Sequence, residues 1–438
     1  MFAPRRLAAL LILAFVFAFL AATAAGASPR KVITHYHWAA PPFDEINTAA
    51  AEAFMARNPG VEVKIVFLPD LTRGDVIRTV LASGRPIDTF GLHSGEAAEF
   101  LAAGQALPID PAAFGKSSVA EVIAMWSPGA VAACGGAWNG QYYGIPFELS
   151  NYVAWVNIAD MREAGLDPAR DKPRTWDEFV QVARKLTKAR DGQTVRNGFM
   201  CNSKEGVVNF LILLAMMEQL GLDWGTEKGL VASMNQPAVL ARGLKTYTDF
   251  ITSSRIWDPS IADEDRAGFG TNKSAMLLTA GSWYWGLLEF LSVDRRDVQP
   301  FPYPRFPGGK DIGGVGYGYC LYVSKQAKDP MLSFRFLDAL AGQPNEFIRF
   351  GYYQPRLKLS NGAVALDPAL ARKYIPYYDE VFKGELAKTA AWLSSTKGGQ
   401  VSDTVWRAIT RVIYSGASVD DSVSEMQDDI RALFPLLR

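Results

Sequence analysis

Two kinds of hydrophobic periodicity alternate between Val32 and Leu92, and this alternation constrains the fold more than any other feature of the chain. Val32-Ile33-Thr34-His35-Tyr36-His37-Trp38 reads as a strand, and Pro41-Pro42 breaks it. Phe43, Ile46, Ala50, Ala53 and Phe54 then recur at helical spacing, and Asn58-Pro59-Gly60 stops that helix. Val61, Val63, Ile65 and Phe67 form a second strand, a second helix covers about Arg73–Ser83, and Ile87-Asp88-Thr89-Phe90-Gly91-Leu92 is a third, buried strand. The order β-α-β-α-β implies a mainly parallel sheet with helices on both faces. Ligands of such sheets sit beyond the carboxyl ends of the strands. Trp38 and His93-Ser94-Gly95-Glu96 fall there.

A second unit follows Gly144-Ile145-Pro146. Residues 152–156 read as a strand. Thr175 and Glu178 form a capping box that opens a helix with Trp176, Phe179, Val180, Ala183 and Leu186 on one face. Residues 207–220 and 237–253 read as further helices. Residues 274–279, then Gly281-Ser282-Trp283-Tyr284-Trp285, read as a strand-like segment opening into an aromatic loop. Residues 301–309, rich in Pro and Gly, look like a crossing, and 313–324 is a Gly- and Tyr-rich strand. Asp329-Pro330 caps a helix that ends at Gly342. Ser402 and Gly416 bracket one helix of the tail, and Ser418 begins another with Val419, Val423, Met426, Ile430 and Leu433 on one face.

Residues 1–27 carry no acid. Arg5 and Arg6 precede an uncharged, mostly apolar run, and Ala25-Gly26-Ala27 fits a cleavage site before Ser28. A secretory signal peptide is expected here, leaving a mature net charge of about −2. No Cys lies near the cleavage site, so no lipid anchor is expected. An aromatic content of 12% and a formal net charge of zero exclude a disordered chain and a strongly basic nucleic-acid binder. Eleven Trp and sixteen Tyr are many for a neutral protein. Their rings suit ligands with apolar faces and polar rims. Cys134, Cys201 and Cys320 match no zinc or redox spacing. One disulfide is possible, its pairing is open, and small buried thiols are the simpler reading.

The chain lacks G-x-S-x-G, H-E-x-x-H, G-x-x-x-x-G-K-[ST] and G-x-G-x-x-G. His35 and His37 share a strand face, and His93 and Glu96 lie near its end. Three such ligands could hold zinc, but an ordinary polar strand end facing a cleft accounts for them, and no metal or other cofactor is expected. Glu96, Glu99, Glu148 and Glu289 are candidate carboxylates for a glycosidase, yet nothing in the sequence selects an acid and a base among them. Trp176 is read as packing, Trp392 as either cleft or core, and Glu99 and Asp177 as solvated.

These segments together resemble the extracytoplasmic solute-binding proteins of ABC importers, in particular the sugar-binding group that includes maltose-binding protein. The likeness covers nearly all of 30–438. It is carried by the strand ending near Trp38, the run from Phe54 to Asn58-Pro59-Gly60-Val61-Glu62-Val63, Ile87-Asp88-Thr89-Phe90, and residues 100–110. Gly140-Gln141-Tyr142-Tyr143-Gly144-Ile145-Pro146 follows the family's G-x-x-Y-G-[IL]-P. Asn157, Ala164-Gly165-Leu166 and Arg174-Thr175-Trp176-Asp177-Glu178-Phe179 come next, the last being the most specific match. Ser274-Ala275-Met276 with Gly281-Ser282-Trp283, and Gly351-Tyr352-Tyr353-Gln354-Pro355-Arg356, complete the set. The chain departs from the family at Val156-Asn157, where Tyr-Asn is common, and at 313–319, which carries Tyr317 and Tyr319 where many members have small residues.

The resemblance implies an α/β fold of two lobes, the periplasmic-binding-protein fold. Each lobe would be a mainly parallel sheet flanked by helices, with the ligand in the interlobe cleft. Lobe 1 would be 31–146 and 304–352, and lobe 2 would be 150–301 and 356–438. Hinges would lie near 146–150, 301–304 and 353–356. It implies a monomeric, non-catalytic binding component in the periplasm. Its ligand would be a small carbohydrate, its partners the transmembrane permease subunits with their cytoplasmic ATPase, and it would bind no nucleic acid. Trp283 is the first choice for stacking on a sugar, then Tyr284, Trp38 and Tyr317. His37, His93, Ser94, Glu96, Glu148, Asn151, Gly316 and Arg356 complete the expected ligand-binding set. Arg356 is the one obvious cation, so neutral sugars are favoured. An exported carbohydrate-active enzyme, a chemosensory receptor and a binder of polyols or glycerol-phosphate-like ligands are the competing readings.

Overall fold

The computed structural model describes residues 30–69, 73–204, 206–365 and 367–437. The expected signal peptide at 1–27 lies outside them. Strand β1 (Lys31–Trp38) leads through helix α1 (Phe43–Arg57) to β2 (Val61–Leu68). Helix α2 (Arg73–Ser83) leads to β3 (Thr89–His93), which runs straight into α3 (Ser94–Ala102). β1 lies parallel to β2, with Lys31 opposite Val61 and Trp38 opposite Leu68, and parallel to β3, with His35 opposite Thr89. Both faces of this sheet are covered. Ile33 packs with Phe54 of α1 and with Phe336, whereas Tyr36, Phe90 and Leu92 pack with Ile77 and Leu101. Alternation of side chains along β1 sends Ile33 and Tyr36 to opposite layers.

The chain then passes to the second lobe. β4 (Ile145–Asn151) is separated from β5 (Val153–Asn157) by Tyr152 alone. One extended run therefore serves both lobes, with Phe147 in the core of the first and Ala154 and Val156 in that of the second. Helices α4 (Trp176–Leu186), α5 (Gly206–Gln219) and α6 (Pro237–Thr252) follow, then β6 (Met276–Ala280), α7 (Tyr284–Phe290) and β7 (Val298–Phe301). The capping box expected for α4 is present. Thr175 Oγ1 accepts from Glu178 N at 3.2 Å, and the Glu178 carboxylate accepts from Thr175 N at 3.2 Å. The strand expected at 274–279 is present as β6, but the aromatic segment after it is not a loop. It turns at Gly281 and becomes α7, whose amide groups bond along the helix instead of to a neighbour.

The second sheet has the order β6–β5–β7, and both of its pairings are antiparallel. The expectation of a mainly parallel sheet therefore fails for the second sheet, whereas the β1–β2–β3 part of the first is parallel. β6 and β7 run in the same direction with α7 between them, as a crossover requires. β5, arriving from the first lobe, is inserted between them in the opposite direction. A last long strand, β8 (Val315–Val323), again spans both lobes. Its start pairs with Asn151 and with the short strand β9 (Ala390–Ala391), and its end runs antiparallel to β3, with Tyr322 opposite Phe90. Helix α8 (Pro330–Leu340) covers the first sheet.

Helices α9 (Gly398–Ser415) and α10 (Val419–Leu433) close the second lobe, where Val405, Ile409 and Ile430 join Trp176, Leu213 and Leu244 in one core. Gly416 ends α9 in the left-handed conformation at φ 67°. The start of α9, though, lies a turn before Ser402.

Cys134 and Cys320 form a disulfide, and Cys201 is a free, buried thiol whose proton burial holds well above the ordinary pKa. The cross-link joins residues 186 apart and, by loop-closure entropy, contributes about 5 kcal/mol. Thiol titration is expected to find no reactive group in the native protein. It should find one after denaturation and three after denaturation with reductant. Three without reductant would remove the cross-link.

Candidate functional site

The carboxyl ends of β1 and β3 face the second lobe across a cavity of about 350 Å3. Trp38, the last residue of β1, forms part of its wall. Beside it, His93 ends β3 and caps α3, and the Glu96 carboxylate accepts the His93 backbone N–H at 2.9 Å. Arg73, on the first turn of α2 and 2% exposed, reaches both residues. Its Nη2 lies 2.7 Å from His93 Nδ1 and donates to Glu96 Oε2 at 2.6 Å. One turn further along α2, Arg78 donates to Glu99 and to Asp75. Glu148, on the crossing strand β4, is buried at the back of the cavity.

The opposite wall belongs to the second lobe. Trp283 lies at the start of α7, and its indole N–H donates to the Tyr317 hydroxyl at 2.7 Å. The Arg266 guanidinium lies 5.2 Å from the Trp283 ring, a cation–π distance, and its Nε donates to the Thr279 carbonyl. Trp392, just after β9, stacks on His93 with ring centres 5.7 Å apart and meets Tyr317 edge-on at 6.3 Å. Trp38 meets Trp283 edge-on at 6.1 Å. The cavity therefore has aromatic walls on both sides and an alternation of carboxylates and guanidiniums around them. Ser395, Ser402 and Asp403 close its rim.

Contact between the walls is direct. A Cβ on Gly95 would stand 2.1 Å from Trp392 Nε1, so the indole lies against the bare backbone of α3. Gly398, at the start of α9, faces the carbonyl of the same Gly95.

A two-lobed α/β chain with an aromatic, charge-bordered cavity between its lobes is an architecture for enclosing a small solute. Residues 40–346 match the family model described as bacterial extracellular solute-binding protein. The chain belongs to that family. This solute-binding protein is 25% identical over 300 residues to the lactose-binding protein of Rhizobium radiobacter, a match covering 66% of this chain and 67% of that one. It is 28% identical over 159 residues to an uncharacterised ABC transporter extracellular-binding protein of Pyrococcus horikoshii, and that match spans about a third of either chain (34%). Among solved structures, the ABC transporter solute-binding protein of Thermotoga lettingae, bound with α-D-tagatose, superposes with a TM-score of 0.76 at 17% identity. It covers 92% of this chain and 99% of that one. The fold of the solute-binding protein is thus the two-lobed one that the resemblance implied.

Six of the expected site residues of this solute-binding protein come together at the cavity: Trp38, His93, Glu96, Glu148, Trp283 and Tyr317. Six do not. His37 points to the opposite face of β1, under Phe147 and Tyr319. Its Nδ1 lies 3.1 Å from His35 Nε2, and burial pushes the pKa of both rings down, that of His35 to about 3. Tyr284 follows Trp283 by one helical step of about 100°, is buried, and donates its hydroxyl to the Arg266 carbonyl. Asn151 and Gly316 pair with each other where β4 meets β8, and the open side of Gly316 is filled by Thr389. Ser94 is covered by the turn at Gly135.

Arg356 is 1% exposed and lies over the Trp126 ring, where it pairs with Asp338 and donates to the Lys358 carbonyl. It is an internal strut and not a cleft cation. Its replacements at the cavity, Arg73, Arg78 and Arg266, carry no sequence signal that separates them from other helix-borne arginines. Glu99 is solvated as expected, its side chain 41% exposed, and it also borders the cavity, as does Trp392.

Proposed function

We propose that the protein captures a neutral carbohydrate of one or two rings by closure of its lobes and delivers it to the transmembrane subunits of an ABC importer driven by a cytoplasmic ATPase. The observation that carries this reading is the aromatic cavity. Trp283, Trp38, Tyr317 and Trp392 offer ring faces and edges to the C–H faces of a sugar. Carboxylates and guanidiniums at their borders offer acceptors and donors to its hydroxyls. A volume of about 350 Å3 is at the small end for a ligand pocket, which suits one or two rings. Arg73 and Arg78 already hold carboxylates, so these two guanidiniums are engaged before any ligand arrives. Lactose and α-D-tagatose, named with two relatives, support the same class.

The lobes are built mainly of 31–146 with 304–352 and of 150–301 with 356–438, the start of β8 reaching into the second, and the hinges are the three crossings near 146–150, 301–304 and 353–356. The protein works as a monomer in the periplasm after removal of residues 1–27, without a lipid anchor. It binds and releases its ligand unchanged. Trp38, His93, Glu96, Glu148, Trp283 and Tyr317 contact the ligand, with Trp283 as the platform.

Thermal unfolding against a panel of neutral sugars, polyols, sugar phosphates, sugar acids and amino acids tests this. A neutral sugar at a hundred times its Kd is expected to stabilise the protein by about 2.7 kcal/mol, with no product after long incubation. Stabilisation by phosphates, acids or amino acids alone would overturn the reading. With the sugar in hand, Trp283→Ala is expected to weaken binding by roughly thirtyfold, about 2 kcal/mol. Unchanged affinity in calorimetry would remove Trp283 as the platform.

A further inference from the structure

Trp283 and Tyr317 are tied to each other inside the cavity wall. The indole N–H of Trp283 donates to the Tyr317 hydroxyl at 2.7 Å. An indole nitrogen can only donate, so the hydroxyl is the acceptor. Burial, and after it the charge of Glu148, keep the Tyr317 proton on well above the ordinary phenol range. At neutral pH the acceptor is therefore an uncharged hydroxyl.

The bond decides which way round the indole lies. The Arg266 guanidinium stands over the ring, 5.2 Å from its centre, and takes one of its two faces. A half-turn about the Cβ–Cγ bond would exchange the faces, and it would carry Nε1 to the other side, away from the hydroxyl. Trp38 and Tyr284 meet the ring at 76° and 89°. Such edge-on contacts fix the plane of an indole without choosing between its two settings. The hydrogen bond makes that choice.

Tyr317 is a firm mount for it. The residue sits in β8 between two glycines. A Cβ on Gly316 would stand 2.5 Å from Thr389 Oγ1, and one on Gly318 would stand 2.7 Å from the Ala133 carbonyl oxygen, so that face of the strand is packed at both points. Alternation sends Tyr317 to the opposite face. There its ring meets Tyr152 and His93 edge-on at 5.4 and 5.3 Å.

We propose that Tyr317 is a positioning residue whose hydroxyl holds Trp283 in one of its two ring settings, so that a ligand can use only the indole face that Arg266 does not cover. The hydroxyl then acts on the ligand through Trp283 and not by a bond of its own. The ligand half of this proposal rests on the sugar reading above, with Trp283 as the platform, whereas the tether stands without it.

The tether is read in the ligand-free protein. The chain has eleven Trp, proton–nitrogen spectra of tryptophan-labelled protein show their indole N–H groups, and Trp283→Phe assigns the one in question. Tyr317→Phe keeps the ring and loses the oxygen. In that variant the Trp283 signal is expected to move, and its exchange with solvent to quicken by about tenfold. An unmoved signal with unchanged exchange would overturn the tether.

Affinity is read separately, by calorimetry with lactose, maltose and D-tagatose. Tyr317→Phe is expected to weaken binding by about three- to tenfold. Once Trp283→Phe has been made, it is expected to change the affinity by no more than about twofold. The same loss in both backgrounds would mean that the hydroxyl touches the sugar itself, and would overturn the positioning role. So would an unchanged affinity of Tyr317→Phe alone. If the wild-type protein bound none of the three sugars, the ligand half would fall with the sugar reading, and the indole spectrum would still decide the tether.

Discussion

Gly95→Ala is expected to destabilise the ligand-free protein by about 1–3 kcal/mol and to weaken ligand binding as well. The added methyl would lie 2.1 Å from Trp392 Nε1. No indole tolerates that, so Trp392 must leave its place against α3, and with it goes its stack on His93. Forcing extra volume into a packed contact costs about 1–3 kcal/mol of stability. The backbone itself accepts alanine there, since Gly95 is not among the glycines with positive φ. Both readouts, the unfolding midpoint and the affinity, should therefore fall together, because both depend on the place of Trp392. A double-mutant cycle isolates the contact: with Trp392→Ala already made, Gly95→Ala should cost nothing further. A full cost in that background would mean that the methyl meets something other than the indole.

Arg356→Met should destabilise the protein by about 3–5 kcal/mol and leave the affinity of the folded protein unchanged. The guanidinium is 1% exposed and ties together the Asp338 side chain, the Asp338 carbonyl at 2.7 Å and the Lys358 carbonyl at 2.9 Å. Burial pulls its pKa down and the Asp338 carboxylate pushes it back up, so the charge is retained by its partner. Methionine fills much of the volume over Trp126 but leaves that carboxylate and the carbonyls without their donor, which is the costly half of a buried pair. Urea unfolding at constant m reads the loss directly. A weakened affinity with an unchanged midpoint would return Arg356 to the ligand site and contradict its place in the structure.

Arg73 and Arg356 show where reading a sequence stops. Each is an arginine beside a turn, with a carboxylate some twenty residues away that gives no hint of pairing. One enters the cavity wall, the other a buried strut between a loop and α8. The difference lies in what covers them, His93 and Tyr319 in one case, Trp126 and Asp338 in the other. The same holds for His37 and Trp38, adjacent in β1. Alternation along a strand separates them, but which face meets the cavity depends on α8 and Phe147 lying over the other.

What the chain determines by itself is local. The β-α-β-α-β order, the capping box at Thr175 and Glu178, and the stop at Gly416 depend on periodicity, side-chain hydrogen bonding and backbone freedom within a few residues, and all of them are found where the residues place them. Tertiary structure alone decided the direction of the second sheet, because β5 enters it from another lobe. It also decided that 284–290 is helical, and that Trp38, Glu148, Trp283 and Trp392 share one cavity across more than 350 residues of chain. Their meeting is the sum of weak long-range contacts, and no stretch of sequence contains more than one side of any of them.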